Sequence, residues 1–214
     1  MEKGNYLRII FSVLVAVSLV SVVFAVSNPG NIDESTPLMT GEIPEIDREE
    51  HEDYETAIFG VWCFWGPDAR VGVVEGVIRT KTGFQEVKNA TGDEYGINRE
   101  ALKVDYDPEK ITYMELYEMI SETGQLRELH PFGEFVLTTR HHQSYILGRH
   151  DELSESFKRL YPELDDFINS TAAARINGFL AGRGELDSPE DLEDLGLTER
   201  GRREVYNLWR ARKR

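Results

Sequence analysis

The sequence contains one cysteine, Cys63, among 214 residues. An internal disulfide is therefore impossible, and there is no CxxC pair to bind a metal or shuttle electrons. The thiol is either an inert packed group or a reactive one that depends on an outside partner. Positive charge is also scarce: 24 Lys and Arg stand against 39 Asp and Glu, a formal net charge of -15. Such a chain repels phosphates, which argues against a nucleic-acid partner. A glycine-rich phosphate loop and internal repeats are lacking as well. The histidine pair His141-His142 has no HxxxH spacing or second cysteine to complete a metal site, and adjacent histidines on a strand point apart; a structural hydrogen-bonding role is expected and no metal.

Long hydrophobic runs are confined to the N-terminus. Lys3 and Arg8 precede residues 9–26, IIFSVLVAVSLVSVVFAV, which carry no charge. That length lies between a signal-peptide core and a short membrane span, and the basic flank favours an N-terminus left in the cytoplasm. Residues 1–26 are expected to be a signal peptide or membrane anchor, so that the rest of the chain is membrane-anchored or secreted and extracytoplasmic. Residues 27–55, turn-rich and then acidic, read as a disordered linker.

From residue 55 the apolar pattern becomes that of a folded domain. ETAIFGVWCFWG at 55–66 reads as a buried strand ending in a loop, and Gly66-Pro67-Asp68 suits a helix start, with Asp68 as a first-turn charge stabiliser. Residues 76–84 alternate as a strand. Residues 98–107 do so too, with Leu102, Val104 and Tyr106 on one face, while 107–124 show helical spacing at Tyr113, Leu116, Tyr117 and Ile120. Strand, helix, strand, strand, helix is an α+β order. Beyond residue 150 the pattern is helical: Leu153, Phe157 and Leu160 share a face, STAAARINGFLAG follows a serine cap, and two further helices end in a basic tail.

The stretch FGVWCFWGPDAR, residues 59–70, places the thiol at the end of a strand and just before a helix. The unpaired N–H groups and positive dipole end of that helix favour thiolate over thiol. Phe64 and Trp65 beside it can form an apolar pocket for a small nonpolar group, and Glu100, on a later strand, is a candidate acid for an oxygen leaving group.

VWCFWGPD at 61–68 resembles the GCFWG motif of the type A methionine-S-sulfoxide reductase family. Gly76-Val77, Thr80 and Gly83-Phe84 fall where the family has GV, T and GY; Asn98-Arg99-Glu100-Ala101-Leu102 resembles its HAEAV strand, and VDYDPEKITYMELYEMI its YDP block. FVLTTRHHQSYIL at 135–147 and FINSTAAARINGFLAG at 167–182 resemble its later segments. The resemblance spans about residues 56–184 and implies an α+β two-layer sandwich with a mixed β-sheet and flanking helices, followed by a helical C-terminal extension at 185–214. It departs from the family in four places: Trp62 replaces the first glycine of the motif, GFQEV replaces GYAGG, the tyrosine of the PTY motif has no aligned partner other than nearby Tyr95, and the GTQYRS segment is missing between Glu122 and Phe135. Trp62 is expected to crowd Cys63.

The resemblance implies reduction of methionine (S)-sulfoxide in oxidised proteins. Cys63 attacks the sulfoxide sulfur, Glu100 supplies the proton, Phe64, Trp65 and Tyr95 bind substrate, and Cys63 is left as a sulfenic acid. No cofactor is implied, but an external thiol reductant is, thioredoxin-like or a small dithiol. A monomer is expected. The competing expectation is a decayed relative that binds peptides or sulfoxides; a hydroxyl from Tyr95 or Tyr145 beside Cys63 would favour the enzyme.

Overall fold

Strand β3 (Arg99–Tyr106) lies inside the sheet, between β1 (Glu55–Gly60) and β2 (Val77–Glu86), as its apolar composition demands. Ala101, Leu102, Val104 and Tyr106 are buried. Asp105 is buried with them because the Thr56 hydroxyl (2.6 Å) and Arg79 Nε (2.7 Å) donate to its carboxylate. The computed structural model describes residues 33–48, 51–86, 99–130, 133–138 and 142–213. Strand β4 (Glu134–Leu137) completes a four-stranded sheet of order β1-β3-β2-β4.

The protein has an α+β fold. Every pairing between its named strands is antiparallel, where a mixed sheet was expected. The reason is topological. β1 and β2 run the same way and are joined through helix α1 (Trp65–Gly72), but β3 inserts between them, so the parallel neighbours never pair.

Helix α2 (Tyr113–Glu122) starts at a capping box: the Thr112 hydroxyl accepts from Glu115 N–H, and the Glu115 carboxylate accepts from Thr112 N–H at 2.8 Å. Leu116 and Ile120 join Phe59, Val61, Phe64, Leu102 and Val104 in one core. Tyr113 and Tyr117, expected on the same face, flank it and stay exposed.

A second core is mainly helical. It is built from α3 (Ser144–Leu147), α4 (Asp151–Leu160), α5 (Leu164–Asn169), α6 (Thr171–Leu180), a 3-10 helix at Pro189–Leu195 and α7 (Glu199–Arg212). Leu192, Leu195, Val205 and Trp209 are buried with Ile146, Phe157 and Ile176, so the C-terminal extension shares its core with the preceding helices.

The linker expected to be disordered differs over its described part. Leu38 and Met39 are buried in the helical core, Met39 pairs with Leu197, and Thr198 N–H donates to Leu38 O at 3.0 Å. Asp47 caps α6, accepting from Thr171 N–H (2.6 Å), Ala172 N–H (3.1 Å) and the hydroxyls of Ser170 and Tyr161. Two apolar residues in a polar run give no periodicity, and a lone acidic cap looks like any solvated charge. The hydrophobic run at 9–26 lies outside the described residues. Among the described residues no helix is long and apolar enough to cross a membrane.

Candidate active site

Helix α1 carries the site, and two glycines let it lie close to α6. A Cβ on Gly178 would stand 2.5 Å from Ala69 O, and one on Gly72 would stand 2.7 Å from Ala174 O. Neither approach tolerates a larger residue. Between the helices Asp68 is almost wholly buried, accepting from the Thr80 hydroxyl on β2 at 2.6 Å and from Asn177 Nδ2 on α6 at 3.1 Å. Burial pushes its carboxyl up to about 7. Asp68 was expected to be a charge at a helix start; it is a buried tie joining α1, β2 and α6.

Cys63 precedes the N-cap residue of α1, Phe64, and is partly buried. It opens into a cleft of about 540 Å³ together with Gly66, Arg70, Glu122, Thr123, Gln125 and Arg183. Glu100 comes from β3 to the same helix end. Its Oε2 accepts the Phe64 N–H at 2.9 Å, and its backbone carbonyl accepts the Val61 N–H at 2.9 Å. The register that opposes Glu100 to Phe84 on β2 fixes the carboxylate there. The residue adjoining the thiol is thus tied to the candidate acid.

The remaining expectations fare differently. Phe64 is 2 % exposed and meets Phe84 edge-on at 5.9 Å, so its ring belongs to the sheet core and is absent from the cleft wall. Trp65 is 39 % exposed at the surface of the first turn. Trp62 turns outward: its N–H donates to Gln125 O at 2.8 Å, its indole is 62 % exposed, and the Arg127 guanidinium lies over the ring at 4.0 Å. It does not seal Cys63. Tyr95 and His141 lie outside the described residues.

Tyr145 sits under Arg149 and Arg212 in a separate cavity and does not line the cleft at Cys63. His142 lies in a turn, not on a strand. It is fully buried with its ring edge-on to Phe167 at 5.8 Å, and burial pulls it down to about 3, so it is neutral. Sequence reasoning missed Arg70 and Arg183 altogether. The one local signal was Gly182-Arg183-Gly184, whose flanking glycines both take positive φ, 76° and 69°.

A family profile described as peptide methionine sulfoxide reductase matches residues 55–124, from β1 through α2, the segment that brings Cys63 and Glu100 together. A peptide methionine sulfoxide reductase MsrA of Pelagibacter ubique is 31 % identical over 109 residues, 48 % of this chain and 74 % of that protein. The chain belongs to the MsrA-type peptide methionine sulfoxide reductase family. Longer but weaker similarity extends to a peptide methionine sulfoxide reductase of Drosophila melanogaster, 27 % identical over 196 residues, covering 71 % of this chain and 78 % of the relative. The peptide methionine sulfoxide reductase A5 of Oryza sativa subsp. japonica is 27 % identical over 183 residues, covering 63 % and 70 %. These are oxidoreductase relatives, and all three alignments are longer than the span of the sheet, residues 55–137.

Proposed function

We propose that this chain reduces methionine (S)-sulfoxide in oxidised proteins, with Cys63 as nucleophile and Glu100 as acid. The observation that carries the reading is the hydrogen bond from Phe64 N–H to Glu100 Oε2, which holds a carboxyl beside the partly exposed thiol at the start of α1.

In this reading Cys63 sulfur attacks the sulfoxide sulfur as Glu100 protonates its oxygen. The hydroxyl then passes from the methionine sulfur to Cys63 sulfur as the bond between the two sulfurs breaks, so that methionine departs as the thioether and Cys63 is left as a sulfenic acid. The exposed indoles of Trp62 and Trp65 supply the apolar surface beside the thiol for the substrate's methyl group and peptide. A thiol from outside the protein then reduces Cys63, since the chain has no second cysteine. The charge-free run at 9–26 supports export of this chemistry to the far side of a membrane.

The test is a peptide carrying the separate R and S sulfoxides, incubated with the full chain and dithiothreitol. Consumption of the S epimer alone, abolished by Cys63→Ser, is the expected result. No turnover of either epimer by folded protein would overturn the reading and leave a binding module.

A further inference from the structure

The wall of the Cys63 cleft carries polar and charged side chains, two arginines and one glutamate, where a methyl-selective pocket would be apolar. Arg70 and Arg183 stand on it with Thr123 and Gln125. Arg70 is matched by Glu122, Nη2 to Oε2 at 3.0 Å. Arg183 is exposed, and among the described residues no carboxylate pairs with it. Its backbone is held rigidly: Arg183 N–H donates to Gly178 O at 2.9 Å and Gly182 N–H to Phe179 O at 2.8 Å, closing the end of α6 between two left-handed glycines. An arginine lining the same concave space of about 540 Å³ as a thiol suits a small anion better than the face of a second protein.

We infer that this cleft is the binding site for the reductant, a low-molecular-weight monothiol bearing carboxylates, which Arg183 recognises. The inference rests on the proposed reductase reading. The chain carries a net charge of -15, so an anionic thiol gains from a cation at the point where it docks. The chemistry balances with two thiols. The first attacks the Cys63 sulfenic acid; its sulfur bonds to Cys63 sulfur, and the hydroxyl leaves as water with the thiol's proton. The second, as thiolate, attacks the outer sulfur of that mixed disulfide, releasing a small-molecule disulfide and the Cys63 thiolate. The sulfenic acid is reduced by two electrons, and the two thiols are oxidised by two. The carboxylate contact to Arg183 holds the first thiol with its sulfur toward Cys63.

The experiment compares glutathione, its diethyl ester and dithiothreitol as reductants for the full chain and for Arg183→Ala. Methionine released in one turnover without reductant is measured beside them. The expected result is one methionine per chain in the single turnover for both proteins, and a KM for glutathione raised about five- to tenfold by the substitution. The KM for dithiothreitol should move less than twofold, and the diester should behave with the wild type as glutathione does with the variant. Added salt should weaken glutathione use by the wild type more than by the variant. A single-turnover burst with no change in the glutathione KM, or a diester as good as glutathione, overturns the reductant site while leaving the reductase intact. The same holds if only a dithiol protein supports turnover. Absence of the burst overturns the reductase reading itself.

Discussion

Asp68 makes the stability of this protein pH-dependent in a window where most carboxylates are silent. Its carboxyl is raised from the ordinary 3.8 to about 7 by burial, against the opposing hydrogen bonds from Thr80 and Asn177. Between those two values the folded chain binds a proton that the unfolded chain does not. Stability therefore falls as pH rises toward 7 and is regained as pH falls below it. Linkage with these two pKa values gives about 2.5 kcal/mol between pH 8 and pH 5, an upper figure for one buried group. Asp68→Asn mimics the protonated acid: its carbonyl can accept from Asn177, which cannot flip because its own Oδ1 accepts Tyr145 N–H at 2.8 Å. The new amide then donates to the Thr80 hydroxyl. Urea midpoints of wild type and variant measured from pH 5 to pH 8 isolate the effect, since all other titrations cancel in the difference. The variant should gain on the wild type by roughly 1 M urea at pH 8 relative to pH 5. A difference that stays flat across that range would refute the argument, because it would mean that Asp68 is solvated or charged throughout.

Glu100→Gln keeps the acceptor for Phe64 N–H but removes the acid; the single-turnover rate of sulfoxide reduction should fall about 100-fold with an unchanged circular dichroism spectrum. Asp47→Ala strips the cap of α6 and leaves two hydroxyls and two amides without their partner, and should cost about 2–3 kcal/mol in urea unfolding. Gly178→Ala drives a methyl against Ala69 O and should lower stability by about 1–3 kcal/mol, with loss of turnover as α1 is pushed from α6. Trp62→Ala, at an exposed position, should change stability by less than about 0.5 kcal/mol.

The sheet was legible because its signals are local. Alternation at 98–107 produced β3 within one residue of each end, helical spacing at 107–124 produced α2 with its start six residues early and its end two late, and the thiol at a strand-to-helix junction followed from the Gly-Pro-Asp step. What stayed hidden depends on contacts between distant segments. Asp68 looks like a first-turn charge until Thr80 and Asn177 are placed on it, and Leu38 looks solvated until Leu197 and Gly201 close over it. Phe64 is a subtler case: an aromatic beside a cysteine reads the same whether its ring faces a ligand or the core, and here the ring packs in the core.

The same reasoning separates the two halves of the candidate site. The half proposed to handle the sulfoxide comes from one contiguous stretch, β1 to β3, so motif spacing alone already put Cys63 and Glu100 forward as candidates. The other half is assembled by docking α6 on α1, and it exists only because Gly72 and Gly178 permit that approach. Arg183 reaches the thiol's cleft as a consequence of that packing, from a position with no motif relation to Cys63. A substitution that separates the two helices should therefore weaken reduction of Cys63 by an anionic thiol more than its first attack on sulfoxide. In Gly178→Ala, if the protein remains folded, turnover with glutathione should fall further than the single-turnover burst; equal losses in both would show that α6 supports α1 alone and contributes nothing to the reductant.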